Sequence, residues 1–379
     1  MKFIHLSDLH IGKKVNEFSM LDEQEFILKE IINIINMEKT DFVIIAGDIY
    51  DKSVPVIEAV TLFDDFLVDL ANLNIPVYII SGNHDSPERL SFGNRLLKSR
   101  NIFISSVYNG NILPYTLNDK FGKINIYMLP FIKPIHVKKF FPKEKIENYN
   151  DAFKTVINNI NINKSERNIL IAHQFVTGSS ASGGEELFVG GLENIDADIL
   201  SDFDYVALGH IHKSQICGNK EQIRYCGSPL KYSFSEVNDM KSVISVNISE
   251  KNNLEIKNIT LTPKTDWYEI KGSYEEITLK SFYENKKFKN SFLHIILTDE
   301  DDIPNAVNLL RLIYPNLMKL SYDNKRTREN SVFTAVENIK NKSSLTLFNE
   351  LYEMQNNQPM SDEQKDFIQN LIDDIWEEK

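Results

Sequence analysis

Short apolar runs recur through the first 210 residues: FIHLS (3–7), FVIIAG (42–47), PVYIIS (76–81), INIYMLP (124–130), NILIAH (168–173) and YVALGH (205–210). Each has the length of a strand. Most positions in each run are apolar, so cover on both faces is expected. Between the early runs lie FILKEIINIINM (26–37) and VIEAVTLFDDFLVDLANL (56–73), whose apolar residues recur at helical spacing. Strand and helix in alternation predict a layered α/β domain. From about residue 220 the pattern changes. IRYCGSP, KSVISVNISE and NLEIKNITLTP alternate or carry β-branched residues between turn signals, which predicts antiparallel strands.

A smaller unit is expected after Pro263. In it WYEIKG, SFLHIILTD and NLMKLSYD read as strands, and SYEEITLKSFY and DIPNAVNLLRLIY as helices. The polar stretch NKRTRENS reads as a linker. Two closing helices, SSLTLFNELYEMQ and SDEQKDFIQNLIDDIWEE, begin with Ser and carry apolar stripes. The expected division is a main domain over 1–262, a small α/β domain over 263–325, a linker over 326–342 and C-terminal helices over 343–379.

The polar residues gather at one end of the apolar runs. Asp8 and His10 follow the first, Asp48 the second, Asn83, His84 and Asp85 the third. His173 ends a later run, and His210 and His212 follow the next. In open α/β sheets ligands bind beyond the carboxyl ends of strands, so distant segments deliver Asp, His and Asn to one sheet edge. Asp8-x-His10 and His210-x-His212, if extended, would each present both side chains on one side. Gly47, Gly82 and Gly209 precede such residues and are expected to let the chain turn under a crowded site. The Gly-rich segment 174–200 reads as a long functional loop beside His173.

Charge and cysteine content change this picture little. The net charge of -12 argues against a uniformly basic nucleic-acid binder, although bound cations would reverse the sign locally. Cys217 and Cys226 make neither a disulfide framework nor a zinc knuckle. The start, MKFIHLSDLH, turns polar too early for a secretory signal, and no run has the length of a membrane span. A cytoplasmic protein with no membrane partner is expected.

Asp8, His10, Asp48, Asn83, His173, His210 and His212 form a ligand set of carboxylate, imidazole and amide. Such a set suits divalent Mn, Fe or Zn, and the lack of Cys argues against a structural zinc. Seven ligands are too many for one ion and fit two ions sharing a carboxylate. That arrangement is suited to phosphoester hydrolysis.

The motifs DLH, GD, GNHD, AH and GHIH, in this order, resemble the calcineurin-like metallophosphoesterases. SDLHIGKK, AGDIYDKSVP, SGNHDS, ALGHIHKSQI and RYCGSPLKYSFSE are similar to the SbcD group of bacterial nuclease subunits within that family. The resemblance runs through about the first 240 residues. It implies a four-layer α/β domain followed by a small capping domain. It also implies one metal held by Asp8, His10, Asp48 and His212, and a second by Asp48, Asn83, His173 and His210. His84 would contact the scissile phosphate, and Asp85 would orient His84. The implied activity is a manganese-dependent DNA nuclease acting on double-strand ends and hairpins. The implied partner is an SbcC-type ATPase, in a heterotetramer built around a nuclease homodimer. Where archaeal and eukaryotic members carry His shortly after the shared carboxylate, this chain has Asp51, as the bacterial group does.

Other residues read more plainly. His5 and His294 are expected to be structural histidines, and Ser228 to lie in a turn without chemistry. The run Lys133, Lys138, Lys139, Lys143 and Lys145 suits either a phosphate backbone or a solvated face. Two other functions fit a metal site of this kind: a phosphoesterase for small diesters or phosphoproteins, and a binding module that has lost its chemistry.

Overall fold

The computed structural model describes residues 1–177, 179, 194–325, 327, 345–346, 348–349, 351–352 and 360–377. Most of the segment 174–200 and nearly all of the expected linker lie outside the described residues.

The strands are β1 (Lys2–Leu6), β2 (Lys14–Val15), β3 (Phe18–Ser19), β4 (Phe42–Ala46), β5 (Val77–Ile80), β6 (Ile102–Ile104), β7 (Tyr115–Asp119), β8 (Gly122–Leu129) and β9 (Arg167–His173). They continue as β10 (Tyr205–Gly209), β11 (Gln215–Cys217), β12 (Lys220–Tyr225), β13 (Ser242–Ile248), β14 (Leu254–Thr260), β15 (Trp267–Gly272), β16 (Phe292–Leu297) and β17 (Leu317–Tyr322). Helix α1 (Leu21–Met37) precedes β4, and α2 (Ile57–Asn72) links β4 to β5.

Two six-stranded sheets dominate, with orders β14-β13-β1-β4-β5-β6 and β11-β12-β10-β9-β8-β7. Their centres are parallel: β1, β4, β5 and β6 in one, β8, β9, β10 and β12 in the other. Antiparallel strands flank each centre. The expectation of antiparallel pairing from residue 220 therefore holds for β13 and β14. For β12 it holds on one side only, since β12 pairs antiparallel with β11 but parallel with β10. Period-2 alternation within one strand says nothing about the direction of its neighbour. Strand β7 is not apparent in the sequence, because only its half-buried residues carry apolar character.

Phe3, Phe42, Ile44 and Tyr78 from one sheet meet Ile126, Ile169, Ile171 and Tyr205 from the other in one core. Alternate residues such as Val43 and Ile45 are buried on the opposite face, the side taken by α1 and α2. On the far face of the second sheet, Tyr127, Leu170 and Val206 pack with Phe153 and Val156 of the helix Tyr149–Asn158. The result is the expected order of layers, helix, sheet, sheet, helix. His5 is buried in the central core with Nδ1 3.0 Å from the Tyr205 hydroxyl, and burial pulls its imidazole down to about 3.

The chain divides into two compact units, Met1–Glu269 with Asn290–Leu293, and Ile270–Lys289 with His294–Lys379. The second contains most of the sheet β15-β16-β17. Its expected helix over 273–283 is helical but broken in two, Tyr274–Thr278 and Lys280–Tyr283, by extended Leu279. His294 sits on β16, 2.8 Å from the Ser321 hydroxyl.

One buried cation ties the edge of the second sheet to the first. Arg167, 2% exposed, donates to Asp119, to the carbonyls of Ser249 (2.7 Å) and Gly122 (2.7 Å), and to that of Ile248 (3.3 Å). Arg167→Ala is expected to lower unfolding free energy by about 3–5 kcal/mol, because partners are left buried and unpaired. The guanidinium holds the Asp119 carboxyl below its usual range. The pair's stabilisation is therefore present above the unfolded carboxylate pKa of about 4 and is lost as pH falls below it. Urea titrations across that range should show a shallower acid loss in the variant.

Candidate metal centre

The carboxyl ends of β1, β4 and β5 from one sheet and of β9 and β10 from the other converge on one edge. Strand β1 stops at Leu6 and β10 at Gly209. The residues beyond are not extended as expected from their spacing. Asp8, His10, Asp48 and His210 all have positive φ, of 54°, 46°, 50° and 103°. Such backbone costs energy for a residue with a Cβ and persists only where the surroundings hold it. Here they do: Asp8 N–H donates to the Gly47 carbonyl at 3.0 Å and His10 N–H to the Asp48 carbonyl at 3.0 Å. Gly47, at φ 89°, turns the chain as expected, but the other two glycines act differently. Gly82 and Gly209 are needed for close approach rather than turning. A Cβ on Gly209 would lie 2.0 Å from the Ala46 carbonyl oxygen, and one on Gly82 would lie 2.1 Å from Asp48 Oδ1.

All seven candidate ligands come together, and the geometry divides them. His10 Nε2 and His212 Nε2 face each other at 3.1 Å. On the other side, the Asn83 amide oxygen lies 3.0 Å from His173 Nε2 and 2.9 Å from His210 Nδ1. Asp48 stands between, with Oδ2 3.6 Å from His10 Nε2 and 3.3 Å from His173 Nε2. Asp8 offers a ligand atom to both groups, one with His10 and His212 and one with Asp48 and His173, each within 4.8 Å.

The electrostatics describe a dry, crowded cluster of carboxylates and imidazoles. Burial pushes the Asp8 carboxyl up to about 6, against the pull of His173 and His212. Asp48 is also buried, yet His173, His10 and His84 hold it well below the usual range. Burial works against a proton on His173, but the Asp48 charge outweighs it and raises the ring to about 9. Burial and the His173 charge bring His210 down to about 3, and burial keeps His10 well below its ordinary value.

These residues fit a pair of divalent cations. Asp8 Oδ2 is buried with no hydrogen-bond partner among the described residues, and a buried carboxylate oxygen needs a cation or a donor. For His173 and His212 the inward-facing nitrogen is freed by a contact on the other side of the ring, as metal-binding histidines require. His173 Nδ1 donates to the Ala46 carbonyl at 2.8 Å, and His212 Nδ1 lies 3.4 Å from Glu236 Oε1.

Several supporting residues are not legible in the sequence. Glu236 is fully buried between His212 and Lys241 Nζ, the latter at 2.5 Å. Gln24 Nε2 donates to the His10 carbonyl at 2.7 Å and lies 3.0 Å from the Tyr232 hydroxyl, which donates to the Leu9 carbonyl. No motif marks Gln24 or Lys241, and RYCGSPLKYSFSE contains Tyr232 and Glu236 without giving them a role, since each role is defined only by what lies beside the residue in space. Glu236→Gln is expected to weaken metal affinity about 10–100-fold, measured by titrating the ion against a chelator of known affinity.

Asp85 corrects an expectation. It does not hold His84. Its carboxylate accepts from the N–H groups of Gly82 (2.9 Å), Tyr50 (3.0 Å) and Ile49 (3.1 Å), clamping the loop after β4 to the loop after β5. His84 is held instead by the Asp51 main-chain oxygen, 2.9 Å from its Nδ1, while its own N–H donates to Asp48 Oδ1 at 2.9 Å. The sequence pairs His84 with its neighbour Asp85, but the chain turns between them and points the two side chains apart.

Ser228, expected to be without chemistry, is buried, with its hydroxyl donating to the Leu230 carbonyl at 2.7 Å. The lysine run starts beside the site. The Phe131 ring lies 6.4 Å from that of His173, and the Ile132 carbonyl accepts from Gln174 Nε2 at 2.8 Å. Lys133, Lys138, Lys139, Lys143 and Lys145 are exposed.

Residues 1–214 match the calcineurin-like phosphoesterase family, and residues 263–356 match a domain described as the type 5 capsule protein repressor C-terminal domain. The chain is 32% identical to the SbcD subunit of the nuclease SbcCD of Staphylococcus epidermidis over 381 aligned positions, covering 98% of each chain. Among solved structures, a dimetal phosphatase from Danio rerio matches with a TM-score of 0.45 at 12% identity, covering 69% of this chain and 98% of that one. TT1561 of Thermus thermophilus matches with a TM-score of 0.36 at 11% identity, covering 68% and 98%.

Proposed function

Since the chain belongs to the calcineurin-like phosphoesterases, in the family of the SbcD subunit of the nuclease SbcCD, we propose that it is a two-metal DNA nuclease. It hydrolyses phosphodiester bonds at double-strand ends and in hairpins, with manganese as the working ion. One observation carries the reading: Asp48 Oδ2 stands between His10 and His173, at 3.6 and 3.3 Å, as a carboxylate shared by two ions would.

Asp8, His10, Asp48 and His212 would hold one ion, and Asp48, Asn83, His173 and His210 the other. Bound there, two divalent cations supply charge neutralisation on the phosphate and lower the pKa of nearby water. The chain's own residues do the rest. His84 Nδ1 donates to the Asp51 carbonyl, so the ring would act as an imidazolium whose second proton, on Nε2, meets a phosphate oxygen and passes to the departing one, leaving the neutral ring protonated at Nδ1. Asp85 fixes the two loops so that Asp48 and His84 keep their spacing. The exposed lysines from Lys133 to Lys145 supply positive charge for a DNA backbone beside the site.

The native form would be a nuclease homodimer bound to an SbcC-type ATPase in the cytoplasm. Phe348, Tyr352, Met360, Phe367 and Ile368 of the second unit line an apolar groove, and Phe367 is 64% exposed, which suits a docked partner helix. No helix among the described residues is long and apolar enough to cross a membrane.

The test is cleavage of end-labelled hairpin and blunt duplex DNA by the purified chain with Mn, Mg or a chelator, alone and with the ATPase. Cleavage that needs metal supports the proposal. Hydrolysis of a nitrophenyl phosphodiester with no action on DNA in either setting would overturn it in favour of a small-diester phosphoesterase.

A further inference from the structure

Asp51 touches both halves of the chemistry proposed above, by different atoms. Its carboxylate Oδ1 accepts from Lys13 Nζ at 2.6 Å and lies 3.8 Å from His10 Nδ1. Its main-chain oxygen lies 2.9 Å from His84 Nδ1. Its N–H donates to the Ile11 carbonyl at 3.2 Å. Immediately beyond it the chain runs into an exposed bend at Lys52, Ser53 and Val54. The peptide plane that carries the His84-holding oxygen is therefore anchored chiefly on its Asp51 side.

Lys13 is itself well placed to provide that anchor. Its N–H donates to the His10 carbonyl at 3.0 Å, and Gly12 before it, at φ 89°, donates to Gln24 Oε1 at 2.9 Å. Its ammonium lies 5.7 Å from the centroid of the buried Tyr232 ring. Lys13 and Asp51 are 18% and 14% exposed, so the pair is partly withdrawn from water and stronger than a surface ion pair. The rings of His10 and His84 stand edge to face at 4.8 Å, so a small rotation of one is felt by the other.

We propose that the Lys13–Asp51 ion pair is a positioning device for His84, resting on the catalytic role proposed for that histidine. By fixing the Asp51 peptide plane, the pair holds the His84 proton at Nδ1 and turns Nε2 toward the phosphate. Asp51 and Lys13 act through His84 and not on the substrate.

The experiment compares the native chain with Asp51→Ala, Lys13→Ala, the double variant and Lys13→Arg, in three readouts. The first is the tautomer of His84, from ¹⁵N-histidine NMR of the metal-free protein. With 8 histidines the spectrum can be assigned by difference against His84→Ala. The native ring should be protonated at Nδ1, and Asp51→Ala and Lys13→Ala should shift it toward a mixture. The second is bound metal, which should be unchanged. The third is hydrolysis of a nitrophenyl phosphodiester and of hairpin DNA. There kcat on hairpin DNA should fall about 10–100-fold with KM within about twofold, as misplacement of a reacting group predicts, and should fall less on the nitrophenyl diester, whose leaving group needs little protonation. The double variant should be no worse than Asp51→Ala, and Lys13→Arg should restore most of the loss. An unchanged His84 tautomer in Asp51→Ala overturns the proposal. So does loss of metal, which would assign the pair to His10 instead. If the native chain cleaves neither substrate, the nuclease reading fails, while the tautomer shift still decides whether the pair positions His84.

Discussion

Asp48→Asn is expected to empty both metal positions and to bring DNA cleavage close to background. The substitution keeps the shape of the side chain and the oxygen that accepts from His84 N–H. What it removes is the charge. Asp48 Oδ2 is the only carboxylate oxygen within 4 Å of both a His10 and a His173 ring nitrogen among the described residues. Its negative charge is also what raises His173 to about 9 against the effect of burial. Without it the inward nitrogens remain, but two cations would share a dry site with less anion to balance them. Metal ions contribute several kcal/mol of charge stabilisation in the transition state. At about 1.36 kcal/mol per tenfold, a loss on the order of 10³–10⁴-fold in kcat follows. Elemental analysis after reconstitution and dialysis should find well under half the metal of the native protein. Thermal unfolding of the metal-free forms should show the variant destabilised, because removing one charge of the buried Asp48–His173 pair leaves the other uncompensated. An Asp48→Asn variant that keeps its metal and cleaves within tenfold of the native rate would sink the shared-carboxylate reading.

His84→Ala should separate chemistry from metal binding. The loss in kcat is expected at about 10²–10⁴-fold, the range of a positioned acid. His84 offers a nitrogen within 4.8 Å of ligand atoms on His10 and Asp48, so proximity alone leaves it eligible as a ligand. The Asp51 carbonyl at Nδ1 leaves Nε2 free for either role, just as the Ala46 carbonyl does for His173, so the metal content of the variant decides between them. Metal content equal to the native protein, together with the lost rate, supports an acid. Metal loss in step with activity assigns His84 to the metal shell. A substrate with a good leaving group, such as nitrophenolate, needs little protonation. The defect of His84→Ala should therefore be smaller on that diester than on DNA, and an equal defect on both would contradict proton donation.

Much of this site is legible in the residues alone. The amino acids themselves determine which strands are buried on both faces, because runs such as FVIIA leave no polar side for water. They also determine that Asp8, His10, Asp48, Asn83, His173, His210 and His212 follow such runs, and residue type alone limits what ions they suit. Only the tertiary structure decided how these side chains are divided and held. The sharing role proposed for Asp48 depends on the strand ends of two sheets converging. The support from Glu236 depends on a loop returning to His212. The hold on His84 passes through a carbonyl oxygen that any residue at position 51 would possess. Asp85 spends its carboxylate on three backbone N–H groups and none on its neighbour. Side-chain chemistry is written in residue identity. Contacts made through the backbone are not, because every residue carries the same amide and only the path of the chain says which ones meet.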